Sequence, residues 1–242
     1  MAEIYLVRHG QASFGTDNYD RLSVLGHRQA EVAGEYLQKV GVKVDAIYAG
    51  TLVRQNETAE GVRKIYAANG SPLPEVIQDV GFNEVQNDLQ IHALAPILAE
   101  FDADIRDNAA KAFNDSKAMQ KMIRSVFQHW VSLGDEPGHE SLESWNEYSA
   151  RVQAGMKRVI TEQGAGKTTA VFSSGGTIAT IAAAVLGLPP SGVYQLFEQV
   201  VNCSVTRLVY SGNKITMSYF NDHGYLKLMA TDQDDNGLIT FR

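Results

Sequence analysis

Arg8, His9 and Gly10 stand together directly after the apolar run Glu3-Ile-Tyr-Leu-Val7. These residue types suit attack on a phosphate. A guanidinium fork matches phosphate oxygens, and a neutral imidazole beside it can serve as a nucleophile. The glycine lets the backbone approach an anion closely. The triplet alone has a plainer reading, a strand-end turn with a surface arginine. What decides between the two is whether other phosphate-binding groups reach the same place. Two segments qualify by type: Gly50-Thr51-Leu-Val-Arg54, and Ser173-Ser174-Gly175-Gly176-Thr177.

The elements needed to position them follow from periodicity. Glu3–Val7 reads as a buried strand, and His27 to Val40 as an amphipathic helix with Ala30, Ala33 and Leu37 on one face. Val44–Tyr48 reads as a second strand, with a helix from Gly50-Thr51 to about Ala68. Val76–Gln78 is a short third strand. This β-α-β-α-β order predicts a parallel sheet covered by helices. From Asn87 to Gln163 good helix formers dominate, broken at Pro137-Gly138, and Ser144-Trp-Asn-Glu147 has the form of a capping box. Residues 87–138 are therefore expected to form a helical cap inserted into a single domain spanning residues 1–242. Thr168–Ser173 returns to strand character. Gly175-Gly176 opens a helix ending at Gly187, and Val205–Tyr210 with Ile215–Phe220 forms a hairpin around Ser211-Gly-Asn213. The tail from Asp232 is acidic and is expected to fray. The expected architecture is α/β, a three-layer α/β/α stack around a mostly parallel sheet.

In such sheets the strand C-termini and following helix N-termini form the ligand-binding edge. Arg8 and His9 end the first strand, Arg54 lies in a first helical turn, and the helix after Ser174 offers exposed N–H groups. At these residues the chain resembles the histidine phosphatase superfamily, the phosphoglycerate-mutase-like proteins. The resemblance rests on Arg8-His9-Gly10 followed by Gln11-Ala-Ser13-Phe14-Gly15, on Leu22-Ser-x-x-Gly26-x-x-Gln29-Ala30, and on Leu52-x-Arg54-x-x-x-Thr58-Ala59. Val201-Asn202-Cys-Ser204 and the hairpin match the closing elements. The resemblance implies that His9 is a nucleophile forming a phosphohistidine, with Arg8 and Arg54 binding the phosphoryl oxygens. It implies an acid for the leaving alkoxide, best matched by Glu84 in Gly81-Phe-Asn-Glu84, with Asp79 and Asp88 as rivals. Where the family pattern has a second histidine before the Gly-Gly turn, this chain has Ser174. A serine can donate one hydrogen bond to phosphate, together with the Gly175 backbone, but brings no charge. Turnover is therefore expected to be slowed, and Ser174→His to raise it. Gln11 and Ser13, directly after His9, are expected in the pocket wall. His223 and His139 are candidates to stand in for the missing histidine.

Composition narrows the rest. A net charge of −7 disfavours nucleic-acid binding, which needs a basic face. Cys203 is the only cysteine, so no intrachain disulfide can form. The histidines are scattered, without metal-ligand spacing, and no cofactor is implied. Gly164-Ala-Gly166-Lys167-Thr168-Thr169 superficially matches a phosphate loop, but it precedes a strand. No signal peptide is read at the N-terminus, and Ile178–Leu188 is too short to cross a membrane. A cytoplasmic protein without a membrane partner is expected, and the apolar terminal hairpin offers a homodimer a place to form. The leading expectation is a metal-independent phosphatase for a small phosphomonoester. The alternatives are a non-hydrolytic phospholigand-binding or regulatory protein and, third, a phosphoglycerate mutase. The cap residues Phe113, Met119, Met122, Phe127 and Trp130 are expected to pack the cap's own core.

Overall fold

Successive residues of the first strand face opposite ways, and here both faces are covered. Ile4 and Leu6 enter one hydrophobic cluster, whereas Tyr5 and Val7 enter another. A strand buried on both sides must be apolar throughout, which explains the unbroken run before Arg8. In the computed structural model, which describes residues 1–13, 20–109, 111, 115–212, 214–231, 234 and 237–241, this strand is central in a sheet of six. The strands are β1 (Ala2–Arg8), β2 (Ala46–Ala49), β3 (Val76–Gln78), β4 (Thr168–Ser173), β5 (Val205–Ser211) and β6 (Lys214–Asp222), in spatial order β3-β2-β4-β1-β5-β6. The first four in that order run parallel, and β5 is antiparallel to both of its neighbours.

The helices are α1 (Val24–Lys39), α2 (Val53–Ala68), α3 (Asn87–Ala99), α4 (Ala103–Ala109), α5 (Ser116–Leu133), α6 (Trp145–Gln163), α7 (Gly175–Leu186), α8 (Val193–Phe197) and α9 (Gly224–Met229). One face of the sheet packs on α1, α2 and α9 and the other on α6 and α7, joined there by α3, α5 and α8. The three-layer α/β/α expectation holds. Helices α3, α4 and α5 lie within the span read as a cap.

The local signals also work as expected. Ser144 and Glu147 close a reciprocal capping box at the start of α6, and Gly187 ends α7 in the left-handed region at φ 68°. Helices α8 and α9 were not foreseen, because five or six residues are too few to show a 3.6-residue period. The tail corrects another expectation. Leu238 is buried, Gln29 Nε2 donates to its carbonyl at 2.9 Å, and Asn202 N–H donates to Thr240 O at 2.9 Å. Residues 238–241 are thus docked on the core. Phe14, Gly15, Phe113, Asn213 and residues 232, 233, 235, 236 and 242 lie outside the described residues.

Candidate active site

The loop leaving β1 is fixed before any reactive side chain is considered. His9 N–H donates to Ser173 O at 2.8 Å, continuing the pairing of β1 with β4, and Asn202 Nδ2 donates to His9 O at 3.0 Å. Gly10 then passes so close to the first turn of α1 that a Cβ would lie 2.4 Å from Gly26 O. Gly26 is equally confined, since its own Cβ would lie 2.1 Å from Gln11 O. Thr58 on α2 accepts from Gly10 N–H at 3.0 Å while donating to Arg54 O at 2.7 Å. Gln29, wholly buried, accepts from Gln11 N–H at 2.7 Å. These contacts give physical reasons for Gly10, Gly26, Gln29 and Thr58 in the motifs.

The imidazole of His9 is held in one tautomer. Its Nδ1 lies 2.7 Å from Gly10 O, a contact that requires the proton on Nδ1 and leaves the Nε2 lone pair available. Arg54 Nε donates to that Nε2 at 3.2 Å. Burial, reinforced by the charges of Arg54 and Arg8, pushes the His9 pKa well below its ordinary value, so the ring is neutral near pH 7. Arg54 is itself oriented by Asp20, whose Oδ1 accepts from Nη1 at 2.7 Å while Oδ2 accepts from Val53 N–H at 2.9 Å. Arg8 donates to the carbonyls of Val200 and, at 3.0 Å, Phe241. Arg8 therefore reaches the docked tail.

Glu84 is positioned by the loop after β3. Phe82 O accepts from Ser173 Oγ at 2.7 Å and Asn83 O accepts from Thr177 Oγ1 at 3.0 Å, tying that loop to β4 and α7. The Glu84 carboxyl accepts from Gly176 N–H at 3.2 Å and Val85 N–H at 3.0 Å. Gly176 is needed for this approach, because a Cβ there would lie 2.5 Å from Glu84 Oε1. Burial raises the Glu84 pKa, outweighing the backbone N–H groups and Arg54. That is the direction an acid needs to hold its proton. The rivals differ. Burial works to raise the Asp79 pKa, but hydrogen bonds from Arg158 and Gly81 leave it lowered, and Asp79 serves to cap the turn at Val80–Phe82. Asp88 is exposed in the first turn of α3.

Arg8, His9, Arg54 and Glu84 line one cavity of about 970 Å³, together with Asp88. Ser174 is placed differently. It is wholly buried, and its Oγ accepts from Gln55 Nε2 at 2.9 Å. The same amide donates to Phe82 O at 3.0 Å, which fixes its orientation. Ser174 and Gly175 are absent from the cavity wall among the described residues, as are Gln11 and Ser13. Gln11 Oε1 accepts instead from Ser23 Oγ at 2.9 Å. His139 is exposed with Nδ1 2.9 Å from Ser141 Oγ, and His223 Nδ1 lies 2.6 Å from Asn221 O. Neither is in the cavity wall. Sequence reasoning missed Asp20, Gln55, Arg151 and Phe241. Only Gln55 had a signal, its adjacency to Arg54 on a face that must turn inward. Met119, expected in the cap's core, lines the cavity, whereas Met122, Phe127 and Trp130 are buried as expected. Among the described residues no group of three or more His, Cys, Asp or Glu could hold a metal ion, and no helix is long and apolar enough to cross a membrane.

A neutral histidine at a strand end, two arginines beside it and a raised carboxyl across the cavity define a class. The chain belongs to the histidine phosphatase superfamily (branch 1), whose family model matches residues 4–90 and 92–223. Among characterised sequences it is similar to the 2,3-bisphosphoglycerate-dependent phosphoglycerate mutase of Brucella ovis, at 27% identity over 84% of this chain and 88% of the mutase. Among solved structures it is similar to Bacillus stearothermophilus YhfR, with TM-score 0.66 and 20% identity over 93% of this chain and 99% of YhfR. A phosphoserine phosphatase from Entamoeba histolytica, solved with 3-phosphoglyceric acid, superposes with TM-score 0.61 at 17% identity, covering 93% of this chain and all of that one (100%).

Proposed function

We propose that the protein is a phosphatase that hydrolyses a small-molecule phosphomonoester through a phosphohistidine on His9. The observation that carries this reading is the tautomer: Nδ1 is committed to Gly10 O, so the Nε2 lone pair faces Arg54 in the cavity. Nε2 attacks phosphorus in line and the P–O bond to the leaving group breaks. Arg8 and Arg54 hold the phosphoryl oxygens and offset their charge. Glu84 gives its proton to the departing oxygen. Water then attacks the phosphohistidine, Glu84 takes a proton from it, and the N–P bond breaks to release inorganic phosphate.

The test is hydrolysis of p-nitrophenyl phosphate without added metal, across pH 5 to 8, by the wild type and His9→Ala. Activity is expected in the wild type and absent in His9→Ala. A folded, inactive wild type would remove the reading and leave a phospholigand-binding protein. Activity persisting in His9→Ala would remove His9 as nucleophile. The raised Glu84 pKa sets the sign of the pH dependence: rate falls as pH rises through it, because the acid form is lost. Glu84→Gln should cost alkyl phosphates roughly 10²–10⁴-fold and aryl phosphates much less, since a phenolate leaves with little help.

A mutase reading has the Brucella ovis relative in its favour. It requires the phosphohistidine to survive until an acidic acceptor binds, and the cavity away from His9 offers such an acceptor no uncommitted cation among the described residues.

A further inference from the structure

The cavity is far larger than a phosphate needs, and its outer part differs in character from its inner end. Arg8, His9, Arg54 and Glu84 occupy the inner end. The remaining wall includes Met119 and Ile123 from α5, Tyr194 and Phe197 from α8, and Leu89 from α3, alongside five side-chain amides, those of Asn83, Gln86, Asn87, Gln120 and Gln199. Among the described residues its charges are three carboxylates, Asp88, Glu143 and Glu198, against one guanidinium, Arg151. Arg151 is committed. Its Nε and Nη2 donate to the two Glu143 oxygens at 3.2 and 2.5 Å, Nη1 donates to Val80 O at 2.7 Å, and its guanidinium lies over the Tyr148 ring at 5.0 Å. Asp88 and Glu198 have no side-chain hydrogen bond or ion pair among the described residues. Among the described residues the net charge of this outer wall is therefore negative, and its apolar part is concentrated on α5 and α8.

Resting on the phosphatase reading, we infer that the substrate is a phosphomonoester whose leaving group is bulky and apolar and carries no negative charge of its own. A phosphorylated carboxylic acid would place its carboxylate against Glu198 and Asp88 without a cation to meet it, a like-charge arrangement that opposes binding. A three-carbon skeleton would also leave the wall formed by α5 and α8 unfilled. An aromatic or aliphatic group of ring size or larger fills it and removes apolar surface from water.

The test compares kcat/KM for phenyl, 1-naphthyl and 4-carboxyphenyl phosphate, which share a phenolate-type leaving group, with 3-phosphoglycerate added as the acidic alkyl ester. Expected are 1-naphthyl above phenyl by roughly tenfold or more, and 4-carboxyphenyl below phenyl by a similar factor. Glu198→Lys should narrow the 4-carboxyphenyl deficit several-fold, a change that a purely structural Glu198 would not produce. If turnover depends on His9 but 4-carboxyphenyl phosphate equals or exceeds phenyl, or 3-phosphoglycerate leads, the substrate class is wrong and the phosphatase stands. If nothing is turned over, the phosphatase reading fails. The selectivity is then read by calorimetric titration, in which tighter binding of 3-phosphoglycerate than of 1-naphthyl phosphate overturns it too.

Discussion

At the scale of single residues the site works by committing the polar atoms that orient its reactive groups. Gly10 O accepts from His9 Nδ1–H, Asp20 accepts from Arg54 Nη1, and Glu84 accepts from Gly176 N–H. The same logic reaches behind the cavity. Phe82 O fixes which end of the Gln55 amide faces Ser174, so Ser174 Oγ must accept and its hydroxyl proton points elsewhere. This amends the expectation for Ser174→His. Gln55 and Ser174 are both wholly buried, and an imidazole added there collides with the Gln55 side chain. Overpacking of this kind costs about 1–3 kcal/mol. Ser174→His alone should therefore lower the melting midpoint without raising kcat, whereas Ser174→His with Gln55→Ala should recover stability and raise kcat. A faster single variant would show that Gln55 does not occupy the space. Arg8, His9 and Arg54 were legible in the sequence because reactive types stood at predicted strand ends and helix starts, whereas Glu84 was singled out through the family resemblance. Arg151 was not legible, because an arginine inside a helical pattern acquires meaning only from what packs against it, and Gln55 had no signal beyond its adjacency to Arg54.

At the scale of elements, two helix N-termini meet the site through glycines that are tight for different reasons. In α1, the obstacle to a Cβ on Gly26 is the backbone oxygen of Gln11 at 2.1 Å, so Gly26→Ala must push the first turn of α1 away from the His9 loop. In α7, the obstacle at Gly176 is the end of the Glu84 side chain at 2.5 Å, which can swing aside. Gly26→Ala should thus destabilise the fold by roughly 1–3 kcal/mol and reduce activity on every substrate. Gly176→Ala should fold with a near-normal melting midpoint but lose alkyl phosphates selectively, as Glu84→Gln does. Equal losses on alkyl and aryl phosphates in Gly176→Ala would mean that α7, and not Glu84, had moved. The sequence showed both helices, and the Gly26 and Gly176 positions were visible as motif glycines. The obstacles were not, since a close approach between distant segments leaves no local periodicity.

At the scale of the whole molecule, the chain closes on itself beside His9 and Arg8. Residues 238–241 follow an acidic stretch and give no signal of order in sequence, because isolated apolar residues in a polar tail look unfolded until their partners are known. Those partners come from every part of the fold. Gln29 on α1 donates to Leu238 O and to Thr240 Oγ1, Asn202 before β5 receives Thr240 Oγ1 at 3.0 Å, and Arg8 on β1 donates to Phe241 O. Gln29 also holds Gln11, and Asn202 also holds His9, so the tail stands one contact from the nucleophile. Two truncations separate its roles. Ending the chain after Gly237 removes buried Leu238 and these acceptors, with an expected loss of roughly 3 kcal/mol of stability and most activity. Ending it after Thr240 keeps Leu238 and the contacts of Thr240 with Gln29 and Asn202 but removes the carbonyl that orients Arg8, and places a new carboxylate near that arginine. This shorter cut should leave the melting midpoint nearly unchanged while raising KM for phosphate esters and weakening inhibition by inorganic phosphate. An unchanged KM there would show that Val200 O suffices to aim Arg8, and that the tail stabilises the fold without shaping the site.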